Sequence, residues 1–210
     1  MQKIIIATNN KDKVKEITEI LKDKFIAVSM KEAGVKLDIE ETGNTFEQNA
    51  FIKAKACFDV VGLPCIADDS GISVAALGGE PGVYSAEYAI NHYKRLGGEK
   101  LDKIKKLNHY SNGMSDANVD LLLANMKGQK NRKAKFVCCM VYYDGSKKQV
   151  GYGETLGQLL DKREGKNGFG YDPIFFSTDL NKCFAIATAS EKNAVSHRKR
   201  ALDVLLAKLT

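Results

Sequence analysis

Two adjacent aspartates, Asp68 and Asp69, follow the apolar run Leu63-Pro64-Cys65-Ile66-Ala67 and are followed at once by Ser70 and Gly71. The run reads as a buried strand and the glycine as a sharp departure from it, so both carboxylates are expected side by side at a strand end. Adjacent carboxylates repel unless a cation or a proton intervenes, which is the chemistry of a Mg²⁺ site or a general base. The same residue types also make an ordinary turn. Complementary chemistry lies elsewhere in the chain. Thr8-Asn9-Asn10 precedes a helical pattern whose first turn carries Lys11, Asp12 and Lys13. Cations there oppose the positive end of the helix dipole at about 0.3–1 kcal/mol each. A bound phosphate would relieve that conflict, while a capped surface helix is the plain alternative. Gly165-Lys166-Asn167-Gly168-Phe169-Gly170-Tyr171-Asp172-Pro173 lets backbone approach a ligand while one ring offers a flat face, or is a loop anchored by its Phe. Ser196-His197-Arg198, with Lys192 before them, puts donors and cations near the start of a last helix.

These residues need elements to hold them. Ile4-Ile5-Ile6 opens a first strand, and Val14, Ile17, Ile20 and Leu21 mark the helix after it. A second strand is expected over residues 25–29. Thr45 with Gln48 three residues on makes a capping box, followed by an apolar face of Phe46, Ala50, Ala54, Cys57, Phe58 and Val61. Lys53 falls at the edge of that face, where solvation is the default. Asp116 reads as the cap of a helix over 118–126. Residues 135–143 form a strong buried strand that turns at Asp144-Gly145 into residues 148–154, with a further strand over 157–160. Val195, Leu202, Leu205, Leu206 and Leu209 line the final helix.

The 210 residues allow one sizeable core, and no repeat or proline-rich linker marks a boundary, so a single domain over 1–210 is expected. No segment is apolar for long enough to span a membrane, and Met1-Gln2-Lys3 leads straight into the first strand, so we expect a cytoplasmic protein. Five cysteines, mostly in apolar runs and without Cys-x-x-Cys spacing, read as reduced and buried. The net charge of +6 fits an anionic partner as well as plain solubility. There is no Walker loop, no His-Glu-x-x-His and no dinucleotide fingerprint, and three histidines make a multi-histidine metal site improbable. Acidic residues for Mg²⁺, separated cations for phosphates and an aromatic loop for a base describe a nucleotide enzyme.

Taken in order, Ala7-Thr8-Asn9-Asn10 with Lys13, Glu40-Glu41-Thr42-Gly43 through Asn49-Ala50, Ala67-Asp68-Asp69-Ser70-Gly71, Leu77-Gly78-Gly79 with Pro81-Gly82-Val83-Tyr84-Ser85-Ala86, Gly168-Phe169-Gly170-Tyr171-Asp172-Pro173 and Glu191-Lys192-Asn193-Ala194-Val195-Ser196-His197-Arg198 resemble the inosine/xanthosine triphosphate pyrophosphatases (HAM1-like). The resemblance implies an α/β fold with an elongated, twisted, mixed central sheet flanked by helices, two lobes with a cleft between them, and a homodimer. It implies a Mg²⁺-dependent hydrolase that converts ITP, dITP and XTP to monophosphate and pyrophosphate. Glu40 and Asp69 would hold Mg²⁺, with Asp69 also activating water. Thr8, Asn9, Asn10, Lys11, Asp12, Lys13, Lys53, Ser70 and Lys192 would grip the triphosphate and sugar. Phe169, with Gly170 and Tyr171, would meet the base, and Asp172, His197 and Arg198 would line its pocket. The sequence departs from the family pattern at Glu87, where a basic residue is usual, and in a longer, lysine-rich stretch over 91–114. A cation of that stretch, Lys94 or Arg95, replacing the missing one is one reading of it; dimer packing, or no identifiable role, is the other. A pyrophosphatase for other modified nucleotides, as in the Maf-like proteins, is the second reading. A basic nucleic-acid-binding module is the third, disfavoured because the acidic residues would repel a phosphate backbone.

Overall fold

The computed structural model describes residues 1–106 and 112–209. His109 and the part of the 91–114 stretch at 107–111 lie outside the described residues. Seven strands form a mixed, twisted sheet that does not close: β1 (Lys3–Ile6), β2 (Ile26–Ser29), β3 (Cys65–Val74), β4 (Lys133–Tyr143), β5 (Lys148–Leu159), β6 (Phe175–Ser177) and β7 (Lys182–Cys183). Their order is β2-β1-β3-β4-β5-β6-β7. β1 runs parallel to β2 and β3, with Ile6 opposite Ser29 and Ile66, whereas β6 is antiparallel to β5 and β7. The helices among the described residues are α1 (Lys11–Leu21), α2 (Phe46–Val61), α3 (Tyr88–Leu96), α4 (Glu99–Lys105), α5 (Asn112–Asn125), α6 (Ala189–Val195) and α7 (His197–Leu206). None is long and apolar enough to cross a membrane.

By their contacts these residues divide into two compact units. The first holds Met1–Ser70, Val137–Glu154 and Asn193–Thr210. Its strands carry apolar residues on both faces because helices cover both. Ile4, Ile6, Ile66, Cys138 and Met140 pack with Ile17 and Leu21 of α1 and Ala201, Leu202 and Leu205 of α7. The alternate residues Ile5, Ala7, Cys65, Ala67, Cys139 and Val141 pack with Ala50, Ala54 and Cys57 of α2. Burying each of the larger aliphatic side chains contributes about 1.5–3 kcal/mol. α7 lies directly on the β5 backbone: a Cβ on Gly153 would come within 2.2 Å of the His197 carbonyl oxygen, and one on Gly151 within 2.1 Å of that of Ala201. These two glycines therefore fix where the α7 N-terminus sits.

The second unit holds Gly71–Phe136 and Thr155–Lys192. Phe136, Phe175 and Phe184 form an aromatic cluster with ring centroids 4.6–6.0 Å apart. Asn118 of α5 accepts the Ala89 N–H and donates to the Ala86 carbonyl, and the Tyr171 hydroxyl donates to the Ser85 carbonyl. All five cysteines are free and buried.

Three local expectations change. The strand does not stop at the aspartates: β3 runs unbroken from Cys65 to Val74. Gly71 serves close approach and makes no turn, since a Cβ there would lie 2.3 Å from the Gly82 carbonyl oxygen and 2.4 Å from Ser85 Oγ. The strands expected over 148–154 and 157–160 are one: β5 is continuous and alternates buried and exposed residues from Gly151 to Leu159. Finally, α5 begins at Asn112, ahead of the cap expected at Asp116.

Candidate active site

In the first unit the side chains of β3 alternate, and this separates the two aspartates. Successive strand residues point to opposite faces, so Asp68 continues the face of Ile66, towards α1 and α7, and Asp69 that of Ala67, towards α2. The two carboxylates are therefore not side by side, contrary to the sequence expectation.

Asp68 is fully buried. Its Oδ2 lies 3.2 Å from Lys13 Nζ and accepts from Arg198 Nε at 3.2 Å, Arg198 Nη2 at 3.1 Å and Ser70 Oγ at 3.2 Å. Burial alone would raise its pKa, but the charges of Lys13, Arg198 and Lys53 hold it well below the usual carboxylate range. Lys13 reaches it from the first turn of α1, whose entry is capped by Asn10, the side-chain oxygen of which accepts from the Asp12 and Lys13 N–H groups. The anion that offsets the lysine at this helix end is thus Asp68 itself. Arg198, 1% exposed, also bonds Glu16 of α1 and donates from Nη2 to Ser70 Oγ. Burial would lower its pKa, but Asp68 and Glu16 keep it raised and the guanidinium charged.

On the opposite face Asp69 is 6% exposed and far less compensated. Asn49 Nδ2 donates to its Oδ2 at 3.1 Å, the Ser70 N–H donates to its Oδ1 at 2.8 Å, and Lys53 Nζ stands 3.9 Å from Oδ1. Burial pushes the Asp69 carboxyl up to about 6 against the pull of Lys53 and Lys13, with Glu41 adding to the rise. Lys53 is buried, not solvated, and its Nζ lies 2.9 Å from Glu41. Glu41 is the member of the acidic pair that turns towards this cluster. Glu40 is exposed and makes no ion pair among the described residues.

The second unit carries the aromatic loop. Asp172 Oδ2 accepts the Phe169 N–H at 2.8 Å and Lys192 Nζ at 2.6 Å, and Lys192 Nζ lies 4.6 Å from the centre of the Phe169 ring. Asp172 and Lys192 are both buried. Gly168, at φ 74°, takes the left-handed conformation that brings its backbone against the Asp172 carboxylate, where a Cβ would meet Oδ2 at 2.1 Å. Gly170 is also left-handed, at φ 60°.

Of the remaining sequence-predicted residues, Thr8 Oγ1 accepts the Asn10 N–H and Asn9 Nδ2 donates to the Leu37 carbonyl. Lys11 and Asp12 are exposed. His197 is buried at the first position of α7, whose cap is Ser196. Lys94 and Arg95 sit exposed in the last turn of α3, where cations complement the helix dipole, about 10 Å along the axis from Glu87. Asn49 and Glu41 stand within a family motif of the sequence without an assigned role, and Glu16 carries no signal there. Asn49 and Lys53 fall four apart beside the inward stripe of α2, and polar residues at inward positions were the available signal.

The chain matches the Ham1 family over residues 4–208. A dITP/XTP pyrophosphatase from Clostridium perfringens is 42% identical, covering 98% of this chain and 96% of the other. One from Aquifex aeolicus is 40% identical, covering 97% and 95%. The solved structure of the Staphylococcus aureus Ham1 protein superposes with a TM-score of 0.78 at 36% identity over 99% of this chain and 98% of that one. A HAM1 protein from Coxiella burnetii gives 0.80 at 34% over 100% and 98%. Agreement of this size along nearly the whole length shows that this chain belongs to the Ham1 family.

Proposed function

We propose that the protein hydrolyses deaminated purine nucleoside triphosphates, namely ITP, dITP and XTP, to the monophosphate and pyrophosphate. The observation that carries this reading is Asp69: a buried carboxylate raised to about 6, between an asparagine donor and a lysine, beside an ionised Asp68 whose Oδ2 is held by Lys13 and Arg198. A base tuned near neutrality accepts a proton from water and still remains largely ionised at pH 7. Asp69 takes that proton as the water oxygen bonds to the α-phosphorus, the bridge to the β-phosphate breaks, and pyrophosphate leaves. Lys53 and Lys13 stabilise the charge that develops on the phosphates. The names of the 40–42% identical relatives support the substrate class.

The donors present suit Mg²⁺, which takes hard oxygen ligands and is usually held by one or two carboxylates plus substrate phosphates. No cluster of three or more His, Cys, Asp or Glu among the described residues forms a cage independent of substrate. Asp69 and Glu40 would hold the ion, Glu41 being engaged with Lys53. When bound, it would neutralise phosphate charge. Phe169 would stack on the base, held in place by Asp172 and Lys192. Donors meeting a purine 6-oxo group would be left unpaired by the amino group of adenine, a mismatch that can reach several kcal/mol. His197 belongs to the base side in this reading, whereas Arg198 acts by ordering Asp68. A homodimer in the cytoplasm completes the proposal.

Pyrophosphate release measured on ITP, dITP, XTP, ATP, GTP, dTTP and UTP, with and without Mg²⁺, tests it. Metal-dependent release from the deaminated purines above all others is expected. Preference for dTTP or UTP would favour the other modified-nucleotide reading, and no release from any of the seven would end both.

A further inference from the structure

Asn49 belongs to no role assigned above, yet it is 3% exposed and touches the proposed base directly. Its amide is used at both ends. Nδ2 donates to Asp69 Oδ2 at 3.1 Å, and Oδ1 accepts the Gly43 N–H at 2.7 Å. A backbone N–H can be met only by the oxygen and a carboxylate only by the NH₂, so the two contacts fix the amide in one orientation. Gly43 closes three residues after Glu40, and a Cβ there would lie 2.6 Å from Asn49 Oδ1, so the loop backbone is pressed onto the amide. The neighbouring contacts are of a different kind. Gln48 Oε1 accepts the Asn44 N–H at 2.7 Å and Thr45 Oγ1 accepts the Gln48 N–H at 3.2 Å, which anchors the entry to α2 without reaching Asp69.

We propose that Asn49 is a positioning residue for the hydrolysis. It holds the Asp69 carboxylate in its reactive orientation and ties that orientation to the acidic segment Glu40-Glu41 through Gly43. The inference rests on the reaction proposed above. Asp69 Oδ1 is held by the Ser70 N–H, from its own strand. Asn49 therefore supplies the contact on Oδ2 from a separate element, and without it the carboxylate turns about its bond to the strand. A displacement of about 1 Å at a reacting group is worth up to about 100-fold in rate.

Three variants separate this from a purely structural role. Asn49→Ala removes both contacts. Asn49→Asp keeps an acceptor for the Gly43 N–H but sets an acceptor against Asp69. Gln48→Ala loosens the same loop at Asn44 and leaves Asp69 alone. With ITP and Mg²⁺, kcat is expected to fall about 10- to 100-fold in both Asn49 variants with KM within about threefold, and to stay within about twofold in Gln48→Ala. Circular dichroism verifies folding, and Asn49→Asp carries the test if Asn49→Ala does not fold. Near-normal kcat in a folded Asn49→Asp, or an equal loss in Gln48→Ala, would overturn the proposal. Wild-type protein inactive on every nucleotide would refute the reaction instead. In that case the crystal structure of an Asn49 variant decides: a rotated Asp69 carboxylate supports positioning, and an unmoved one sinks it.

Discussion

Replacing Asp69 by Asn should inactivate the protein and, at neutral pH, make it more stable. Burial raises this carboxyl to about 6 in the fold, against about 3.9 in an unfolded chain. Between those values the folded state binds more protons than the unfolded state. Stability therefore falls as pH rises from about 4 to about 6 and remains lowered above that range. A separation of about two pH units corresponds to about 3 kcal/mol. The asparagine variant never charges and avoids this term, but it loses something else. Once its carbonyl takes the Ser70 N–H, its NH₂ faces the Asn49 NH₂, donor against donor, at a cost of about 1–2 kcal/mol. Lys53 keeps Glu41 at 2.9 Å. The balance is a gain of about 1–2 kcal/mol above pH 6, or a Tm higher by about 2–8 °C in a chain of this size.

At pH 4.5 the wild-type carboxyl is protonated in the fold, the electrostatic gain mostly disappears, and the donor clash leaves the variant no more stable than wild type. Thermal and urea denaturation in EDTA at pH 7.5 and pH 4.5 reads both ends, with EDTA keeping bound metal from stabilising only the wild type. Pyrophosphate release should drop by at least about 100-fold, the scale of a lost general base. A variant no more stable than wild type at pH 7.5, or one whose advantage is the same at both pH values, would show that Asp69 is not an under-compensated buried acid.

Phe169→Ala should raise KM for ITP by about 5- to 150-fold, since a base–aromatic stack is worth about 1–3 kcal/mol; steady-state kinetics on ITP check this, and an unchanged KM removes the ring from the base site. Chelation of Mg²⁺ should abolish turnover reversibly, and Glu40→Gln should raise the Mg²⁺ concentration needed for half-maximal rate while Glu41→Gln alters it less; a metal titration at saturating ITP ranks the two. Arg198→Met leaves Asp68 buried with Lys13 as its remaining ion-pair partner and should cost about 3–5 kcal/mol, read as a lower urea midpoint. Because the Asp68 carboxyl is depressed in the fold, the stability it contributes is present above the unfolded carboxylate pKa and disappears as pH falls through its folded value. Joint replacement of Lys94 and Arg95 by Ala should leave KM unchanged, as their place at the end of α3 gives them a helix-dipole partner.

Features set by near neighbours in the chain were legible before any coordinates. Thr45 with Gln48 caps α2 as the spacing requires, and Asn10 and Ser196, placed by the sequence near the starts of α1 and α7, cap those helices. The apolar periodicity of α1 and α2 marks the faces they bury. What failed depends on groups distant in sequence. Gly71 reads as a turn because the Ser85 and Gly82 atoms that demand a glycine there come from a later segment. Lys53 reads as solvated because its partners, Glu41 and Asp69, come from outside α2 and together offset the burial that would discharge it. The pairing of Arg198 with Asp68 is silent in the sequence because the two lie 130 residues apart.

The adjacent aspartates show how one local rule turns such distant contacts into chemistry. Equal neighbours in a turn would have shared one environment and competed for one proton. On a strand their side chains part to opposite faces, and each face is covered by different helices. α1 and α7 bring Lys13 and Arg198 to Asp68, enough positive charge to hold it ionised despite complete burial. α2 brings Asn49 and Lys53 to Asp69, with Glu41 drawing off part of the lysine, so burial prevails there and the carboxyl rises to about 6. A pair of titratable groups driven apart in this way divides into a fixed charge and a proton acceptor. Exchanging the partners should exchange the roles. Lys53→Met should push Asp69 higher still and move the acidic limb of kcat/KM upward in pH, whereas Lys13→Met, acting mainly on the paired acid, should move it less.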